Sequence, residues 1–155
     1  MVKVIRVFVV MTLLLVFAAP ASAKGPNHQV PIKGTVMGEH VRVMFDEACS
    51  PPPGAVWWSF SSDGEGQMSH LGRVEYSLTQ CTSPSEDGTL FESVGTVTFT
   101  AANNDKLFIE HNMTSWWAPD PPPGFIMEGN WWAVGGTGRF ATATGHGTLN
   151  GVGDI

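Results

Sequence analysis

The chain has 155 residues, eight basic and fourteen acidic, for a formal net charge of −6. That is a one-domain length, and a mildly acidic balance without a basic cluster argues against nucleic acid and anionic membrane surfaces as partners.

The first 23 residues, MVKVIRVFVVMTLLLVFAAPASA, carry Lys3 and Arg6, then an apolar run from Val7 to Ala19, then Ala21-Ser22-Ala23 ahead of Lys24. A charged start, a short apolar middle and a small-x-small exit are the parts of a secretory signal peptide, which predicts cleavage after Ala23. An uncleaved anchor is the alternative, but the run is shorter than the roughly 20 residues a spanning helix needs. No cysteine stands at the exit to take a lipid. Residues 24–155 are then a single mature domain, secreted or periplasmic and off the membrane after cleavage. It keeps six basic and all fourteen acidic residues, a net charge of −8.

Both cysteines, Cys49 and Cys81, lie in that mature part. An oxidising compartment favours their pairing into one bridge; two free or intermolecular thiols are the alternative.

Helical periodicity is nearly absent after residue 24, whereas alternation at period two recurs, which predicts an all-β chain. Val30 to Phe45 is long for one strand, and Gly34 and Gly38 offer places to bend. His70 to Cys81 alternates Val74, Tyr76 and Leu78 against Arg73, Glu75, Ser77 and Thr79. Phe91 to Ala101 and Lys106 to Thr114 read as two strands of a hairpin around Asn103-Asn104-Asp105, residues that tolerate left-handed backbone angles. A second hairpin is expected from Phe125 to Val134 and Arg139 to Leu149, turning at Gly135-Gly136-Thr137-Gly138. The stretch GGTGRFATATGHGT, 135 to 148, has five glycines and one large residue, Phe140. A strand small on one face and kinked by glycine suits a strongly curved, closed sheet.

The sequence GGTGRFATATGHGTLNG is similar to the C-terminal hairpin of the allene oxide cyclase-like barrels, which include plant dirigent proteins and small exported bacterial proteins. GTVTFTAANNDKLFIEH resembles the central hairpin of the same bacterial group. The resemblance implies one antiparallel eight-stranded β-barrel with an apolar interior and, from the plant relatives, a trimer. Before residue 68 the sequence CSPPPGAVWWSF has no match in the plant families, so their acidic, arginine and tyrosine site residues have no positions here.

Two proline loops echo each other: SPPPGAVWWSF at 50 to 60 and WWAPDPPPGFIMEGNWW at 116 to 132. Triple proline stiffens a loop and a following glycine lets the chain turn into a strand, so the loops are expected to start neighbouring strands. Adjacent strand residues point to opposite faces, so each tryptophan pair sends one ring in and one out. One reading makes the inner rings core and the outer rings loop cover or a subunit contact. The other has Trp57, Trp58, Trp116, Trp117, Trp131 and Trp132 line one mouth of the barrel and receive an apolar or sugar-like ligand.

Ionisable candidates are Glu110, His111 and Glu128. A carboxylate and an imidazole facing one apolar cavity would suit general acid–base work; isolated surface charges and one satisfied histidine are the plainer reading. If Leu107, Ile109, His111 and Met113 face inward, His111 is interior and Glu110 is outside; the opposite register exchanges them. The five histidines show no metal-ligand spacing, and no Gly-x-Ser-x-Gly elbow or phosphate loop occurs, so no cofactor or metal is expected. The leading expectation is a non-catalytic exported barrel that binds a small apolar or aromatic molecule. A cyclase- or isomerase-like enzyme using an interior carboxylate and an oligomeric interaction module are the rivals.

Overall fold

Period-two alternation gives each strand one apolar side, and such strands bury it by curling an antiparallel sheet on itself. The computed structural model describes residues 9–18, 29–44, 49, 57–118 and 124–154. Its strands are β1 (Val9–Ala18), β2 (Gln29–Met44), β3 (Trp58–Met68), β4 (Gly72–Pro84), β5 (Leu90–Ala101), β6 (Lys106–Ala118), β7 (Gly124–Gly136) and β8 (Thr144–Asp154). Strands β2 to β8 form a curled, barrel-like antiparallel meander in which each pairs with the next, and β1 lies between β8 and β2, completing the ring.

The all-β antiparallel expectation holds. The eight strands expected within residues 24–155 are seven among the described residues. The remaining place in the ring is taken by Val9–Ala18, part of the apolar run near the start of the chain, whose β-branched and uncharged residues suit a strand. Lys3, Arg6 and the expected cleavage site at Ala21-Ser22-Ala23 lie outside the described residues, as do both triple-proline segments.

The inward positions alternate cleanly: Val74, Tyr76 and Leu78 on β4, Val97 and Phe99 on β5, Leu107, Ile109 and Met113 on β6. Charges such as Arg73, Glu75, Glu110 and Glu128 stand outside, the reverse of the pattern on a lipid-facing barrel. The glycines of β8 find their reason across the β7–β8 ladder. Phe125, Met127 and Trp131 of β7 stand opposite Gly153, Gly151 and Gly147 of β8, large against small, and a Cβ on Gly153 would collide with the Phe125 ring.

The turn after β7 differs from the sequence expectation. Arg139 to Ala143 is not strand: Gly138–Phe140 is a 3-10 turn, and β8 starts at Thr144. Gly135 (φ +123°) and Gly138 (φ +55°) take the left-handed angles that start it. It is held to the β5–β6 hairpin by Lys106 N–H donating to Thr137 Oγ1 at 2.9 Å and by Arg139 near Asp105 at 3.6 Å. Phe140 packs against the core there. The hairpin itself turns as expected, with Asn104 left-handed at φ +65°. At the other end lie the connections from β2 to β3 and from β6 to β7. The strands that follow the two proline segments, β3 and β7, are not neighbours in the ring, against the expectation from sequence.

Candidate functional site

At that second end four aromatic rings from four strands follow one another around the rim. Trp58 of β3 and Phe91 of β5 have centroids 5.8 Å apart, Phe91 and Trp117 of β6 are 6.0 Å apart, and Trp117 and Phe125 of β7 are 6.5 Å apart. The last two contacts are edge-to-face, at 87° and 89°, the geometry that ring quadrupoles favour. Each of the four is on the inward register of its strand: Trp58 pairs with Thr82, Phe91 with Pro84, and Trp117 with Phe125. Because their strands end here, the rings are only partly covered, and Trp117 is 51% exposed. None of the four depends on β1.

One inward position below Phe91, Ser93 and Thr82 share a hydrogen bond of 2.7 Å, and Gln80 Nε2 donates to Thr82 Oγ1 at 3.4 Å. The next row runs Gln80, Gly95, His111, Trp131 across four strands. Gln80 is 7% exposed and His111 3%. Gln80 Oε1 and both ring nitrogens of His111 reach no hydrogen-bond partner among the described residues. The interior beneath the aromatic rim is therefore apolar in bulk but polar along one wall.

The six tryptophans do not share a site. Trp58 and Trp117 are in the rim; Trp57 is half-buried just before β3; Trp131 is fully buried in the core. Trp116 and Trp132 face outward, and Trp132 Nε1 donates to Glu110 Oε2 at 2.7 Å. The in-and-out expectation for adjacent tryptophans thus holds for Trp116-Trp117 and Trp131-Trp132 as a consequence of pleating. Phe91 and Phe125 complete the rim and were not singled out from sequence. Both are aromatic residues at strand starts, but only the ring order brings them beside Trp58 and Trp117.

His111 is interior, as its alternation with Ile109 and Met113 implies. Glu110 and Glu128 are exposed on the outer face, with no charged partner inside the barrel for the imidazole. The carboxylate–imidazole pair is not assembled: Glu110, next to His111 on β6, must face the other side, and Glu128 holds an outward, exposed position of β7. Among the described residues no group of three or more His, Cys, Asp or Glu side chains is placed to hold a metal ion. Cys49 and Cys81 are bonded, with Cα atoms 5.6 Å apart.

Burial pushes the His111 imidazole down to about 4 from its ordinary 6.5. The unfolded chain takes up a proton there near pH 6.5, while the folded protein refuses it until about pH 4. Stability is therefore full above pH 6.5 and falls as the pH drops toward 4, by about 3 kcal/mol across the window. His111→Leu, which removes both unpaired nitrogens, is expected to flatten the thermal midpoint between pH 6.5 and 4, where the parent's falls. Equal falls in both would assign the pH dependence to another group.

Comparisons with protein-family models, with curated proteins and with solved structures find no match.

Proposed function

We propose that the chain is an exported, non-catalytic barrel of the allene oxide cyclase-like type that takes a small apolar or aromatic molecule at its aromatic rim. The observation that carries this reading is the run of partly exposed rings Trp58, Phe91, Trp117 and Phe125, each in contact with the next, at one end of the strands. Aromatic faces give large contact area at low entropic cost, and ligand sites favour such concave, mostly apolar settings with few polar groups. The Thr82–Ser93 pair beneath supplies those polar groups and fixes which end of a ligand enters first. Export rests on the leader-like first 23 residues and fits the Cys49–Cys81 bridge. On this reading cleavage leaves β2 to β8 as the working domain, and the rim is built wholly from those strands.

The test is a fluorescence titration of residues 24–155 with N-phenyl-1-naphthylamine, a neutral apolar aromatic probe. Saturable binding is expected, weakened at least about tenfold, or 1.4 kcal/mol, by Trp117→Ala. Trp132→Ala on the outer face should leave it unchanged. Equal affinity in the parent and Trp117→Ala sinks the rim as the site.

A further inference from the structure

The outer face of β5 to β8 carries a second feature, independent of the rim. An open groove of about 650 Å³ crosses these strands. Its lining includes three side-chain amides, Asn112, Asn130 and Asn150, two carboxylates, Glu92 and Glu128, and the indole of Trp116.

The register arranges these groups in rows. Asn112 of β6 stands directly across from Asn130 of β7, and Asn130 pairs with Thr148 of β8. In the next outward row Glu92, Thr114, Glu128 and Asn150 follow one another across the same four strands. Trp116 flanks that row, at the following outward position of β6.

Among the described residues, neither carboxylate has an ion-pair partner, and none of the five polar side chains has a side-chain hydrogen bond. Their capacity is committed to nothing but solvent. The ion pairs among the described residues, Arg73 with Glu65 and Arg139 with Asp105, lie elsewhere.

The donor set selects a ligand chemistry. A side-chain amide both donates and accepts, as a hydroxyl does, whereas a carboxylate only accepts, from hydroxyls among other donors. Several amides with two acceptors and one aromatic face match a molecule that presents many hydroxyls around an edge and C–H groups on a face. That description fits a pyranose ring. The absence of any Lys or Arg from the groove lining, with two carboxylates present, opposes anionic ligands such as uronates, sulfated sugars or phosphates. Four strands at a spacing of about 4.8 Å span roughly 14 Å, room for about three sugar units.

We propose that this outer groove is a binding site for a neutral oligosaccharide, with Trp116 stacking on a sugar face and the amide and carboxylate rows taking its hydroxyls. The site stands whether or not the rim binds an apolar ligand, since the two lie on opposite registers of β6.

Isothermal titration of the full chain with cellohexaose, chitohexaose, xylohexaose and maltohexaose, and with oligogalacturonate as the anionic control, tests it. At least one neutral oligosaccharide should bind saturably and the oligogalacturonate should not. Asn112→Ala combined with Asn130→Ala, and separately Trp116→Ala, should each weaken that binding at least tenfold with unchanged circular dichroism. Trp116→Phe should recover most of it, and Trp117→Ala should leave it untouched. Binding of none of the four neutral sugars overturns the proposal, as does binding that survives both outer-face variants. If Trp116→Ala alters oligomeric state while sugar affinity is unmoved, the face is a self-association surface and the proposal fails.

Discussion

Trp131→Ala is expected to lower the stability of the protein by about 3–5 kcal/mol, the cost of emptying a large aromatic site in a core that relaxes only partly. Trp131 is fully buried and stands between His111 of β6 and Gly147 of β8, so its ring fills space that a glycine leaves open. A loss of that size is a large share of the roughly 5–15 kcal/mol that holds a domain together, and for this length corresponds to a midpoint shift of roughly 10–20 °C. The neighbouring variant Trp132→Ala is the internal control. Its ring lies outside, tied only to the exposed Glu110, so its loss should cost about 1 kcal/mol or less. Thermal unfolding of the two variants side by side checks the register of β7 directly. Comparable losses would mean that the strand is not pleated with Trp131 inward.

Removal of the bridge by Cys49→Ser together with Cys81→Ser is expected to cost about 3–4 kcal/mol in the chain-entropy account. The bridge encloses a sequence separation of 32 residues that includes the whole of β3 and most of β4. It ties Cys49, on the connection from β2, to an outward position of β4 opposite Ser59. The same loss should follow from adding a reductant to the parent, and the double variant should no longer respond to it. A parent whose midpoint is indifferent to reductant would show that the two sulfurs are not bonded in the folded protein.

Where the sequence could be read and where it could not has a physical pattern. The β5–β6 hairpin was legible because both of its strands alternate strictly and Asn103-Asn104-Asp105 can adopt only a few tight turns. The same alternation placed His111 and Glu110 on opposite faces but left open which was inside, and the structure puts His111 in the interior. Strand β3 was opaque: its sequence WSFSSDGEGQM holds few apolar residues, so period-two reading has nothing to count. The structure supplies the reason. Gly64 and Gly66 occupy inward positions because the Tyr76 ring and Val36 fill the space before them, and Ser62 accepts burial by sharing a 3.0 Å hydrogen bond with the Tyr76 hydroxyl. Small inward residues on one strand are set by large ones on its neighbours, which is information in the ladder and not in the strand.

The segment from Arg139 to Ala143 misled in the opposite way. Phe140 between small residues reads as alternation, yet a chain leaving the left-handed Gly138 folds it down onto the core. The rim shows the same limit. Tryptophan pairs draw the eye in sequence, but pleating divides each pair between two faces, and the ring that faces the mouth joins phenylalanines from other strands. The outer groove was not foreseen at all, since its asparagines and glutamates come from four strands and gather only when the sheet is in register.

The central claim is that the folded chain holds a small apolar molecule at its rim after export. Native mass spectrometry of the protein recovered from its producing cells, followed by denaturation of the same sample, tests it most directly. The account predicts a chain that begins at Lys24, lighter than its reduced form by two hydrogens, and carrying a small apolar molecule that is lost on denaturation. A folded protein that flies empty, with the same mass before and after denaturation, would contradict it.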